Sequence, residues 1–189
     1  MLQVVRSSEI NWFCKRKRVA KQPSAGESRK GESVAPSRSD RQGALIVVSA
    51  CLAEVACRYD GKAKTNEQAL ALVRGKKAVT ACPEVLAGFP TPRLSAEIRG
   101  GDGFDVLNGK ARVYNSEGED ITSGFIAGAQ KLLDFIRENA ITEVWLKEKS
   151  PSCGVKEIYD GSFSGRTIAG CGVTCALLKQ HGIKVVEIP

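Results

Sequence analysis

Histidine is nearly missing from this 189-residue chain, with His181 the only one. A Ser-His-Asp triad, a His-rich zinc site or a two-His iron site would each have to run through that residue or do without histidine. Long hydrophobic runs are missing as well. No stretch approaches the ~18 consecutive apolar residues of a membrane span, and the opening MLQVVRSSEINWFCKRKRV lacks the apolar block of a secretory signal. The expected setting is therefore the cytoplasm, with no membrane partner. Methionine occurs only at position 1, so a native start near Gly43 would need a different start codon. What the chain does have is cysteine, seven in all. In a reducing compartment these are expected to bind metal or do chemistry rather than form structural disulfides.

The net charge of +7 is unevenly spread. Residues 1–43 carry 10 of the 28 Lys+Arg and 4 of the 21 Asp+Glu, leaving 18 against 17 for residues 44–189. The basicity thus belongs to a leader rich in Ser, Gly, Lys and Arg, whose few apolar residues cannot offset the entropy of ordering it. Residues 1–43 are expected to be a disordered basic leader, and residues 44–189 the folded domain. The Lys15–Arg18 run KRKR reads first as solvated charge, although it could touch phosphate or act as an address. A nearly neutral domain argues against nucleic acid as its primary partner.

From residue 44 onward, strand and helix patterns alternate. Residues 44–48 form a β-branched run that ends at Ser49-Ala50-Cys51. Thr65 with Gln68 reads as a capping box for a helix closed by Gly75. Residues 77–80 form a second strand, ending at Ala81-Cys82-Pro83-Glu84. Residues 86–119, rich in Gly and Pro, read as a long functional loop holding a small hairpin with a strand at 111–114. Phe125, Ile126, Ala129, Leu132, Leu133 and Ile136 mark one face of an amphipathic helix that Thr122 can cap. Residues 143–147 give another strand, followed by the loop Glu148-Lys-Ser-Pro-Ser-Cys153-Gly154. A helix over about 170–181 and a strand over 183–188 close the chain. Repeated βα units imply an α/β, Rossmann-like three-layer fold with a mostly parallel sheet.

The positions of the cysteines carry the functional argument. Cys51, Cys82 and Cys153 each follow the end of a different candidate strand. In a parallel sheet the carboxyl ends of the strands share one edge, where open α/β folds bind ligands, so the three thiols are expected to converge. Soft all-thiolate sites select iron–sulfur clusters or zinc. Structural zinc usually takes close Cys pairs, which these three residues lack. Three ligands suit a [4Fe–4S] cluster with one iron open to act as a Lewis acid. Cys171 and Cys175, at i and i+4 on the last helix, read as a face packed on the sheet.

The segments VVSACLAEVACRYDGK, ACPEVLAGFPTPRLSAEI, GGDGFDVLNGKARV, LKEKSPSCGVKEIYDGSFSG and GCGVTCALLKQHGI closely resemble the thiouracil desulfidase family over about residues 45–188. The resemblance implies a small Rossmann-like enzyme that removes sulfur from thiolated pyrimidines without redox chemistry. It implies a [4Fe–4S] cofactor with Cys51, Cys82 and Cys153 as ligands. It also implies that the thiocarbonyl sulfur binds the open iron, that water attacks the adjacent carbon, and that sulfide is released. Glu84, two residues after Cys82, is placed to move the protons. Ser150 and Ser152 flank Pro151 and are candidates to orient water or substrate, with Ser150 favoured. Where the family usually reads SACLLGVNCRYDG, this chain has Ala53-Glu54 and Ala56, which puts a carboxylate near the pocket beside Cys51.

Supporting roles follow from position. Cys57, Arg58, Tyr59 and Asp60 are candidate substrate contacts, with Tyr59 available for stacking and Asp60 for hydrogen bonding; Asp60-Gly61 also reads as a plain turn. Arg93 and Glu97 read as pocket residues or as an ion pair. Residues 100–103 read as a turn, and His181 as a helix C-terminal residue. Asp160-Gly161-Ser162 and Ser164-Gly165 read as turns able to close over the site. Two other function classes fit the cysteines: a zinc- or thiol-dependent hydrolase or transferase, and a cluster-binding sensor or accessory module without turnover. The thiolated base is expected to be a small molecule, with the leader able to help if that base sits in a nucleic acid.

Overall fold

The structure, a computed structural model, describes residues 45–189. The expected leader and its KRKR run lie outside the described residues, as does Cys14. Four strands form a parallel sheet in the order β2-β1-β5-β8: β1 (Ile46–Ser49), β2 (Ala78–Ala81), β5 (Glu143–Lys147) and β8 (Lys184–Ile188). The pleat sends successive side chains to opposite faces. Val47 and Val48, both fully buried, accordingly belong to two different apolar clusters. One cluster packs α1 (Glu67–Arg74) through Ala69 against Val48, Ala78 and Ile188. The other joins Val47, Val144 and Leu146 to α4 (Thr122–Glu138) and α5 (Val173–Gln180). The layers are thus helix, sheet, helix, as the βα pattern requires.

Helix α4 buries Phe125, Gly128, Ala129, Leu132, Leu133 and Ile136, a stripe at the expected spacing. Ile126 lies at its exposed margin, 36% accessible, and not in the core. Thr122 does not cap this helix. It is the first helical residue, and its hydroxyl takes the Val113 amide at 2.9 Å. The cap of α1 is Asn66, whose side chain accepts the Ala69 amide at 3.0 Å, so the Thr65/Gln68 box does not form. Because the helix starts at Glu67, Asn66 and not Thr65 stands at the capping position, and its amide oxygen reaches the free amide.

The segment expected to be a long loop holds more structure than its glycines suggest. It contains α2 (Pro83–Leu86), β3 (Ala96–Arg99), α3 (Gly103–Leu107) and β4 (Arg112–Asn115), with β3 and β4 paired antiparallel. Residues 100–103 lead into α3, where Asp102 and Asp105 form a reciprocal capping box. A second hairpin, β6 (Glu157–Tyr159) with β7 (Thr167–Ala169), follows the Cys153 loop. Among the described residues, no helix is long and apolar enough to cross a membrane.

Candidate active site

Three chain reversals converge at the carboxyl edge of the sheet. After β1 the chain enters a single 3₁₀ turn, residues Ala50–Ala53, which holds Cys51. After β2, Cys82 is the residue before α2 and Pro83 opens that helix, a position where a missing N–H costs nothing. After β5, residues 149–154 form a tight loop that carries Cys153. All three cysteines line one cleft of about 720 Å³, together with Cys57, Arg58, Tyr59, Glu84, Lys147 and Ser150. Convergence of the three strand-end thiols, expected from topology, is therefore observed.

The Cys153 loop is held from both sides. Glu148, only 5% exposed, accepts three main-chain amides, those of Val155 at 3.0 Å, Lys156 at 3.1 Å and Glu157 at 2.6 Å. A buried carboxylate with three N–H donors is a local clamp. It ties the residues after the loop to the one before it. Inside the loop, the Ser150 hydroxyl accepts the amides of Ser152 and Cys153 at 3.2 and 3.1 Å. From the other side, Gly172 lies so close to Ser152 that a Cβ there would overlap the Ser152 carbonyl.

The thiols sense one another. Hydrogen bonding with Cys57 lowers the pKa of the Cys51 and Cys82 thiols and raises that of Cys57. Lys147 and Arg58 add positive charge at Cys51. Burial pushes the Cys153 thiol up, and the charges of Cys82, Cys51 and Glu84 add to this, while the Ser49 hydroxyl opposes it. Ser49 is in turn fixed by the Lys147 amide, 3.1 Å from its oxygen. Burial and the neighbouring Lys64 charge lower the Lys147 pKa.

Glu84 faces the cleft and is gripped by Arg93, whose Nε and Nη2 both reach Oε2, at 2.9 and 2.5 Å. Arg93 also donates to the Cys57 carbonyl at 3.0 Å, so it links the Cys51 and Cys82 loops. Its partner is Glu84, not Glu97 as an ion pair within TPRLSAEI would have required. Glu97 instead accepts the Phe163 amide at 2.9 Å.

Several expected site residues stand elsewhere. Ser152 is 1% exposed, bonds Thr174 of α5 at 2.9 Å, and is not among the cleft-lining residues. Asp60 closes its own turn through the Lys62 amide and pairs with Arg58 at 3.3 Å, without lining the cleft. Glu54 points at Arg74, 3.2 Å away, and takes a left-handed backbone with φ 64°. The carboxylate that replaces a common glycine therefore does not enter the pocket. Cys175 lies on α5 and Cys171 two residues before that helix starts, not on it as expected; both are buried in the core. His181 ends α5 and meets Arg137 at 2.9 Å. Sequence reading missed Lys147, Tyr159 and Phe163, all of which line the cleft. The last two come from the short second hairpin, which has too few residues to show a period.

The model of the family described as 2-thiouracil desulfurase matches residues 46–188. This chain belongs to that family. A fellow sequence, the uncharacterized protein YbbK of Bacillus subtilis (strain 168), is 52% identical to this desulfurase-family chain over 143 residues, covering 76% of this chain and 95% of the relative. Among solved structures, the [4Fe-4S]-dependent thiouracil desulfidase TudS is 41% identical with a TM-score of 0.68, over 77% of this chain and 91% of that one. The desulfurase family and the three-layer fold inferred from sequence are both borne out.

Proposed function

We propose that this chain is an enzyme that removes the sulfur of a thiolated pyrimidine such as 2-thiouracil at a [4Fe–4S] cluster held by Cys51, Cys82 and Cys153. The observation that carries this reading is the meeting of three strand-end thiols with one cleft-facing carboxylate, Glu84, in a chain of this family. The donor set fits the group. Three soft thiols on one cleft, with no histidine among its lining residues, suit a cluster.

The net reaction adds water across the C=S bond, giving the oxo base and hydrogen sulfide. When bound, the cluster supplies a Lewis-acidic iron for the thiocarbonyl sulfur. The chain supplies the rest. Arg93 occupies Oε2 of Glu84, which leaves Oε1 to take a proton from the attacking water and return it to the departing sulfur. The two lone pairs of the Ser150 oxygen meet backbone amides, so its O–H remains to donate toward water or substrate. Arg58 and Lys147 place positive charge at the cleft, which favours a leaving hydrosulfide. Cys57 lowers the pKa of the Cys51 and Cys82 thiols and so favours the thiolate form that binds metal.

The test is sulfide release from 2-thiouracil by protein reconstituted with iron and sulfide without oxygen. Stoichiometric uracil and sulfide support the reading. A stable cluster with no sulfide release from thiolated bases would overturn it in favour of a sensor.

A further inference from the structure

Besides Glu84 and the loop clamp Glu148, another carboxylate lines the same cleft and has no part in the chemistry above. Glu97 lies on β3 and is 7% exposed, yet among the described residues no cation pairs with it. Arg99, on the same face of the strand, is spent on the Gly161 carbonyl at 2.9 Å and on the Phe163 ring. One oxygen of Glu97, Oε2, takes the Phe163 amide at 2.9 Å. The other, Oε1, has no hydrogen bond among the described residues. Since no buried side-chain polar atom there is without a partner, Oε1 opens onto the cleft. An ionised carboxylate accepts and cannot donate, so a ligand beside it must bring an N–H or O–H. Desolvating it without such a donor would be costly.

The surroundings narrow the donor. Phe163 holds a left-handed backbone, φ 57°, a conformation costly for a residue with a Cβ, and its amide is the group that Glu97 binds. Phe163 and Tyr159 line this part of the cleft and offer flat apolar surface beside a single acceptor. A planar ring carrying N–H fits that combination. We propose that Glu97 is the specificity-determining residue of this site, accepting the ring N–H next to the thiocarbonyl and so selecting N–H thiolactams over N-alkylated ones. This inference rests on the desulfidation reading for the nature of the ring, and its test is separate from turnover.

The test compares uracil with 1,3-dimethyluracil, oxo bases that the reconstituted protein does not consume, binding each by titration calorimetry. Wild-type protein is expected to bind the N–H ligand at least ~10-fold more tightly, in keeping with a charge-assisted hydrogen bond. In Glu97→Gln one carbonyl oxygen faces two N–H donors, Phe163 and the ligand. The variant can keep its fold through Phe163, and the preference is expected to fall to within ~3-fold. Glu97→Ala, which also makes room for a methyl group, should remove or invert it. Equal binding of the two ligands by wild-type protein, or an undiminished preference in Glu97→Gln, would overturn the proposal. Sulfide release from 2-thiouracil by the same protein samples judges desulfidation independently. A preference that depends on Glu97 without sulfide release sinks only that reading; sulfide release with a preference indifferent to Glu97 sinks only this one.

Discussion

Arg93 and Glu84 meet through a single carboxylate oxygen, with both Nε and Nη2 on Oε2, and Glu84 lines the cleft. The planar fork of arginine is what allows one oxygen to be held at two points. Arg93→Lys keeps the charge and loses the fork, so kcat for sulfide release is expected to fall ~10- to 100-fold with cluster absorbance unchanged. Glu84→Gln, which removes the proton carrier itself, should cost more, ~100-fold or greater. Single-turnover kinetics on both variants check this. A rate in Arg93→Lys equal to wild type would deny Arg93 its positioning role.

The Glu148 clamp gives a second expectation. Glu148→Ala leaves the buried Val155 amide and the half-buried amides of Lys156 and Glu157 without their acceptor. A loss of about 1–3 kcal/mol is expected, together with faster cluster loss, because the loop that carries Cys153 loses its brace. Glu148→Gln keeps one acceptor oxygen and should fall between. Urea melts and the decay of cluster absorbance under a chelator measure the two effects.

The two serines separate cleanly. Ser152→Ala breaks a buried hydroxyl pair with Thr174 and leaves the cleft intact, so about 1 kcal/mol of stability should go with kcat within ~3-fold of wild type. Ser150→Ala removes the cap of the Cys153 loop and a cleft-facing O–H, so sulfide release should drop ~10-fold or more. Steady-state kinetics beside thermal melts would show the contrast.

Glu54 stands in a left-handed conformation that glycine adopts without penalty. Its pair with Arg74 is exposed and contributes little. Glu54→Gly is therefore expected to stabilise the protein by about 1 kcal/mol with unchanged activity, as read from denaturant midpoints.

Much of this was legible in the order of residues. A βα pattern with three thiols after three strands is enough to place Cys51, Cys82 and Cys153 on one sheet edge, because parallel topology leaves no other option. The hairpin at 111–114 was expected and is present, but the second one was not legible. β6 and β7 have three residues each, fewer than two periods of alternation, and Gly and Pro around β3 signal turns whether or not strands lie between them. Glu97 and Phe163 are 66 residues apart, and nothing local ties them. Ser150 and Ser152 look equivalent beside Pro151; only the packing of Thr174 on Ser152 separates them. Asn66 took the cap from Thr65 because adjacent residues offer near-equal acceptors and the helix start decides between them.

The most direct measurement is iron content beside sulfide release for wild type, Cys51→Ser, Cys82→Ser and Cys153→Ser, each reconstituted without oxygen and supplied with 2-thiouracil. About four irons per chain and sulfide release in wild type, with cluster and activity both lost or strongly reduced in each variant, is the expected result. A wild-type protein that binds no iron, or a Cys153→Ser variant that keeps both cluster and sulfide release, would contradict it.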